Sequence, residues 1–352
     1  MFCCGTRALR ETMGASDGNS LTVRLIVRAV QCHEYGDPSK LTIEDIAEPV
    51  AGPGEVIVQV EAVGLGFVDA LRVRGGYQLK DPVPFIPGNE LAGRVVGLGE
   101  GVAQEFNGRR VMAMSRNGAL AERIRLPARD CVTIPDAMSS AAASGFIVSY
   151  CTALYGLQSC GRLQPGETLA VLGAAGGVGL AAIDVAKAMG ARVIALASSP
   201  EKLDLARRSG ADLAVDYSGA DWRKRLQEGA GGDGIDMIYD PVGAPYSETA
   251  FRCLRPGGRL LVVGFAAGSI AAIPLNLPLL KRSSIVGVDW GGFVREEPQA
   301  NFPLLKQLAD WVERGKLHPQ ATSCHPLEEA PKVLQDLLER RSVGKPVIVP
   351  TS

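Results

Sequence analysis

The stretch AVLGAAGGVGLAAIDVAKAMGARVIALASSPEK, residues 170–202, decides how the rest of the chain is read. An apolar run ends in a glycine-rich turn, and an apolar stretch with helical spacing follows until Gly190. A second apolar run, RVIALA, then closes on Ser198, Ser199 and, past Pro200, Lys202. Strand, tight turn and helix in that order form a phosphate-binding corner. Glycines let the backbone turn sharply, and the N–H groups at a helix start can face a diphosphate with no Cβ in between. Ala174 stands where the usual G-x-G-x-x-G fingerprint has its first glycine, so the bare motif is degenerate and the flanking strand and helix carry the reading. Ala174, Gly176, Gly177 and Val178 are the candidate cofactor contacts of this turn.

The end of the second strand decides which ribose is accepted. An acid there would hydrogen-bond the 2′-hydroxyl of NAD; hydroxyls and an ammonium favour a 2′-phosphate instead. Ser198 and Lys202 therefore predict NADPH, while Ser199 also suits the N-cap of a helix beginning at Pro200. Two later strand ends, in IYDPVG (238–243) and VVGFAAG (262–268), place glycine and small residues where ligands lie in open α/β sheets.

Working outward, TLAVLGA, RVIALAS, LAVDY, GIDMIYDPVG, GRLLVVGF and SSIVGVD read as buried strands, with helices at 178–190, 200–209, 221–228 and 246–254. That alternation predicts a doubly wound parallel sheet. Residues 28–150 read differently: short alternating or β-branched runs, punctuated by AGPGE, PVPFIPGNE and GEGV, predict a barrel-like β domain. Near residue 138 the period changes, and SSAAASGFIVSYCTALYGL (139–157) reads as helix. The tail from 303 to 340 reads as two helices around HPQATSCHPL, and KPVIVP as a final strand.

At 352 residues the chain has room for two domains, and 37 Lys plus Arg against 38 Asp plus Glu, a net charge of −1, leave no footprint for nucleic acid or an anionic membrane. Eight cysteines are scattered, with no pair at metal or redox spacing. No apolar run approaches the roughly 20 residues that span a bilayer. A cytoplasmic protein acting on a small molecule, with no nucleic-acid or membrane partner, is the expectation. The first 27 residues lack signal and transit-peptide character and are expected to form a disordered extension outside the fold.

These features resemble the medium-chain dehydrogenase/reductase superfamily, and within it the zinc-free quinone oxidoreductase branch. The resemblance runs from about residue 28 to 350 and rests on VGLGFVDALRVRGGY, PFIPGNELAGRVVGLGEGV, SYCTALYGL, LQPGETLAVLGAAGGVG, VDY, DPVG, GRLLVVGFAAG and GKPVIV, in that order. It implies a GroES-like substrate domain (28–150), a Rossmann domain (151–300), a C-terminal segment (301–352) returning to the first, and a homodimer. No metal is expected: the catalytic zinc ligands of related alcohol dehydrogenases, a cysteine and a histidine, fall on Gly66 or Phe67 and on Asn89, and only Cys131 lies between residues 33 and 150.

Without zinc, hydride transfer calls for an activated acceptor, a quinone or other conjugated carbonyl. By resemblance Tyr77 and Asp69 are the candidate catalytic residues, with the Tyr77 phenol able to hydrogen-bond a developing oxyanion; a half-buried loop aromatic suits Tyr77 equally, and for Asp69 the loop-fixing role is the preferred one. Thr152 is expected near the nicotinamide, Tyr217 at the adenosine phosphate and Gly243 near the adenosine. Gly264, Phe265 and Ala266 would line the nicotinamide ribose, and Val288 and Trp290 would lie over the cleft. Lys345 is a further candidate. Gly66 replaces the asparagine usual in the family's G-x-N-x-x-D, which removes an amide donor beside the substrate. Two other readings stay open: an enoyl-thioester reductase, for which Arg72, Arg74 and Lys80 would meet acyl-CoA phosphates, and a non-catalytic NADPH-binding protein.

Overall fold

A computed structural model describes residues 11–12, 24–232 and 234–350. Most of the expected extension over residues 1–27 lies outside the described residues. Its last part is a correction: the first long strand begins at Arg24, not after residue 27, because the alternation of RLIVRAVQ lets Ile26 to Gln31 pair antiparallel with Ala47 to Thr42 and bury Val27.

The chain divides into two compact units. One comprises residues up to Ile134, Cys324–Arg340 and the segment from Val347; the other comprises Pro135–Ser323 and Arg341–Pro346. The change of unit thus comes at Pro135 rather than after residue 150. The buried helices Ser140–Ala143 and Phe146–Leu154 belong with the second unit, as does Asn301–Glu313, so only part of 301–352 returns to the first.

The first unit is built on the strand Glu55–Gly64, which pairs antiparallel with Glu90–Leu98, Arg123–Pro127 and Pro346–Val349. Arg110–Met114 and Cys131–Thr133 extend the sheet. Val56, Val58, Val60, Leu91, Val95 and Val111 are fully buried in its core, each such side chain contributing roughly 1.5–3 kcal/mol relative to exposure. Within the β-rich region the structure adds a helix, Phe67–Arg74, that periodicity alone did not disclose. It opens after Gly66 and stops at Gly75, whose φ of 73° is the left-handed conformation glycine accepts at a helix end.

The second unit is the parallel sheet expected from the alternation. Its spatial order is Leu213–Asp216, Arg192–Ala197, Thr168–Val171, Ile235–Asp240, Leu254–Val262, Ser284–Gly287, parallel at every pairing. Thr168–Val171 and Ile235–Asp240 are buried at every residue, which is why they read as continuous apolar runs rather than alternating ones. From the central strand, Thr168–Val171, the chain winds first toward one edge and then, from Ile235, toward the other. The carboxyl end of that strand is therefore the switch point where open α/β sheets bind ligands.

Candidate functional site

Parallel register brings five strand ends to one edge of the second unit. Leu172 N–H donates to Tyr239 O at 3.0 Å, Ala174 N–H to Leu196 O at 3.0 Å, Tyr217 N–H to Ala197 O at 3.1 Å and Val263 N–H to Asp240 O at 2.9 Å. The glycine turn thus lies at the middle of a ledge flanked by Ser198 and Tyr217 on one side and by Gly243 and Gly264 on the other.

Within the turn the glycines divide by role. Gly173 holds φ 58°, and a Cβ there would come 2.7 Å from Val242. A Cβ on Gly179 would come 2.8 and 2.9 Å from the Ala174 backbone, so this glycine lets the helix Gly177–Ala188 lie against the turn. Gly176 is different. It is exposed, and a Cβ on it would meet only the Gly173 carbonyl oxygen at 3.4 Å, so its open side faces space that a ligand can enter. It precedes the helix with no side-chain cap. Gly176 is bridged in parallel to Gly344, and because the first N–H groups of a helix have no intrahelical acceptor, the helix start at Val178 and Gly179 presents a positive end suited to a diphosphate. Ala174 and Ala175 are buried beneath the turn, and the Ala174 N–H is taken by Leu196, so Ala174 shapes the corner and contributes no donor.

At the neighbouring strand end Ser198 is exposed, while Ser199 caps the helix Pro200–Arg208 by accepting from the Lys202 N–H. Lys202 is half-buried; loss of hydration draws its ammonium below the ordinary lysine value, against the opposing pull of Glu201. A desolvated cation four residues on from an exposed hydroxyl is a suitable receptor for a phosphate dianion. No carboxylate occupies the Ser198 position itself. The Tyr217 ring packs against Tyr246 with centroids 4.4 Å apart and planes tilted by 37°, and stands edge-on to Trp222. Tyr246 was not among the candidates read from the sequence, because nothing local distinguishes it; only the tertiary structure brings it beside Tyr217.

Asp240 fixes the next loop. Its buried carboxylate accepts from the Val242 and Gly243 N–H groups at 2.8 and 2.9 Å and from the Ser247 hydroxyl at 2.5 Å. Burial holds it above the usual carboxylate range, partly offset by these donors. Gly243, at φ 87°, approaches Ser269 O and Phe265 closely enough that a Cβ would collide. The Gly264–Ala267 segment is pinned by Ala266 and Ala267 N–H to Pro241 and Val242 O, leaving the Phe265 ring exposed.

Other candidates sit elsewhere. Thr152 is buried on Phe146–Leu154. Val288 is buried, its N–H bonded to Val262 O. Trp290 is 5% exposed and donates its indole N–H to Asn301 at 2.9 Å. Lys345 is half-buried, with its alkyl stem beside Gly145 and Gly177.

In the first unit, Asp69 is 2% exposed and accepts the Gly66 N–H at 2.8 Å, capping the helix it begins. Its position is that of a loop-fixing carboxylate rather than a solvent-facing catalytic one. Tyr77 is half-buried in the loop after that helix. The loop is tied at its far end by Asp81, 3% exposed, which takes Arg72 and Arg116 at 2.7 and 2.6 Å while the Tyr35 hydroxyl donates to its carbonyl. Gly66 and Phe67 offer no metal ligand, and among the described residues no group of three or more His, Cys, Asp or Glu side chains converges.

Comparison with known proteins agrees with this architecture. A model of the alcohol dehydrogenase GroES-like domain matches residues 52–136, and one described as a zinc-binding dehydrogenase matches 177–307. The mouse quinone oxidoreductase-like protein 2 is 37% identical over 90% of this chain and 91% of its own length. The chain belongs to the quinone oxidoreductase branch of the medium-chain dehydrogenase/reductase superfamily. Among solved structures, the quinone oxidoreductase of Thermus thermophilus, solved also with NADPH, superposes with a TM-score of 0.79 at 34% identity, covering 92% of this chain and all of that one. The enoyl reductase CurK superposes with a TM-score of 0.81 at 26% identity, over 92% of this chain and 99% of its own. No helix among the described residues is long and apolar enough to cross a membrane.

Proposed function

We propose that this member of the quinone oxidoreductase branch is an NADPH-dependent, zinc-independent reductase of quinones or other conjugated carbonyls. The observation that carries the cofactor choice is Lys202, desolvated and four residues on from exposed Ser198 at the strand end where an NAD-selective site would place a carboxylate. Other residues fit the same dinucleotide. The open side of Gly176 and the uncapped helix start take the diphosphate, and Tyr217 with Tyr246 supplies an aromatic wall for the adenosine end, while Gly243 and Gly264 let the neighbouring loops close tightly beside the ledge. When bound, the nicotinamide supplies the hydride.

The remaining work falls to the chain. Tyr77 donates a hydrogen bond to the carbonyl oxygen of the acceptor as negative charge develops there, and the Asp81 clamp holds its loop in place. Asp69 acts by setting the start of the helix that leads into that loop. Zinc independence rests on Gly66, Phe67 and Asn89 at the positions where metal-dependent relatives carry ligands. An acceptor already activated by conjugation needs a hydrogen-bond donor rather than a Lewis acid.

We also infer a cytoplasmic homodimer formed at the Ser284–Gly287 end of the sheet. That strand is flanked by Asn276–Lys281, on which Leu279 and Leu280 are about three-quarters exposed at 76% and 75%, a patch that water disfavours and a second copy would cover.

A steady-state screen of NADPH and NADH oxidation against quinones, enones and enoyl-CoA thioesters tests the assignment. Turnover of a quinone or enone with NADPH preferred supports it. Turnover confined to enoyl-CoA would establish the thioester reductase reading instead, and tight NADPH binding with no acceptor reduced would mark a cofactor-binding protein.

A further inference from the structure

A second recess lies wholly within the second unit, along the flank of the helix Gly177–Ala188. It encloses about 800 Å³, within the size range of small-molecule sites. One end touches Gly177, but Asp184 and Lys187, farther along the helix, also line it. At 1.5 Å per residue these lie roughly 10 and 15 Å from the turn, so the recess leads away from the ledge where the dinucleotide is placed.

The lining combines an apolar wall with a surplus of positive charge. Leu180, Ala181 and Leu205 supply apolar surface; Lys187, Arg208, Lys316 and Lys345 supply four cationic side chains. Asp184 is the one carboxylate of the lining, and it is already engaged. Its Oδ2 accepts from the buried Tyr150 hydroxyl and from the His318 backbone N–H, each at 2.8 Å. The His318 ring stands 3.8 Å from Oδ1. Lys187 is matched by Asp212 at 2.8 Å, whereas neither Arg208 nor Lys316 has a carboxylate partner among the described residues. Both are exposed at the rim. The single acid is outnumbered by the four cationic side chains of the lining, and the unmatched cations at the rim attract an anion.

We propose that this recess is a second ligand site, distinct from the dinucleotide ledge, for a small phosphorylated molecule with an apolar body. The phosphate is held by Arg208 and Lys316 at the rim, and the apolar part lies against Leu180 and Leu205. Its far end meets the cofactor turn through Lys345, whose stem lies beside Gly177 and whose neighbour Gly344 donates its N–H to Ala175 O at 2.7 Å. The site is thus placed to influence dinucleotide affinity, and such an influence is reciprocal.

The probe is 1-naphthyl phosphate, titrated by fluorescence into the full chain with and without saturating NADPH, with 1-naphthol as the control lacking phosphate. The expected result is saturable binding that persists with NADPH present, is at least tenfold weaker for 1-naphthol, and falls at least tenfold in the double variant Arg208→Glu/Lys316→Glu. Thermal unfolding confirms that this variant is folded, and NADPH titration that its cofactor binding remains. Absence of saturable binding, competitive displacement by NADPH, or unchanged affinity in the charge-reversed variant would each overturn the proposal. Failure of NADPH itself to bind would strike the functional assignment above and leave this site standing.

Discussion

Replacing Gly176 and Gly179 separately by alanine distinguishes binding from folding within a single turn. At Gly176 the backbone is extended, φ −86°, so alanine is conformationally allowed, and its methyl group would meet only Gly173 O at 3.4 Å. The folded state should change by no more than about 0.5 kcal/mol, in keeping with surface substitutions. That methyl group would occupy the open side of the turn. Losing one charge-assisted backbone contact to a diphosphate costs about 1.5–3 kcal/mol, which is about tenfold or more in Kd. At Gly179 the new methyl group would stand 2.8 and 2.9 Å from the Ala174 backbone, and closer still to Gly173 O. No side chain can yield there, so helix and turn must separate at a cost of about 1–3 kcal/mol. Domains of this size lose about 2–4 °C in Tm per kcal/mol. Calorimetric NADPH titration together with thermal unfolding should therefore show Gly176→Ala weak in binding at nearly native Tm, and Gly179→Ala lowered in both. Undiminished NADPH affinity in Gly176→Ala would refute the placement of the diphosphate at this turn.

Lys202→Ala should weaken NADPH by about tenfold or more while leaving NADH within about twofold, measured by the same titration, since the lost contact is made only to the 2′-phosphate. Tyr77→Phe should lower kcat by about 10²-fold with NADPH affinity unchanged; a normal kcat would remove the phenol from the chemistry. Burial alone would raise the Asp81 carboxyl, but hydrogen bonds from Arg116 and Arg72 outweigh it and hold the group below the usual carboxylate range. A depressed native pKa contributes stability above the unfolded value, near 3.9, and loses it as pH falls through the native one. Asp81→Asn should cost about 3 kcal/mol at pH 7, read by urea unfolding, and the difference from the native chain should shrink below about pH 4. Leu279→Glu/Leu280→Glu should give a monomer in analytical ultracentrifugation if the exposed helix Asn276–Lys281 forms the dimer contact; an unchanged dimer would place the interface elsewhere.

Periodicity and glycine placement were enough to foresee the parallel sheet, because strands covered on both faces must be apolar throughout and the chain must turn tightly before each phosphate-binding helix start. All six strands named from the sequence form, and the turn lies where the strand order reverses. Side-chain type was informative without neighbours at Ser198 and Lys202, which is what allows them to be proposed for the cofactor. It was less so at Ala174 and Trp290. Ala174 matches a fingerprint position, yet its N–H is taken by Leu196 from the adjacent strand. The Trp290 indole is taken up by Asn301 from a later helix. Both contacts are invisible along the chain.

Length, charge, motif order and the glycine turn thus determined the family resemblance and the kind of cofactor expected, since each follows from residue types and short-range spacing. Tertiary structure alone decided that Asp69 is spent on capping, that the chain changes unit at Pro135, that Tyr246 joins Tyr217, and that Tyr150, Asp184 and His318 meet. Those outcomes depend on which distant backbone groups and rings come within hydrogen-bonding or packing distance, and residues separated by tens of positions share no local signal that their sequence spacing could carry.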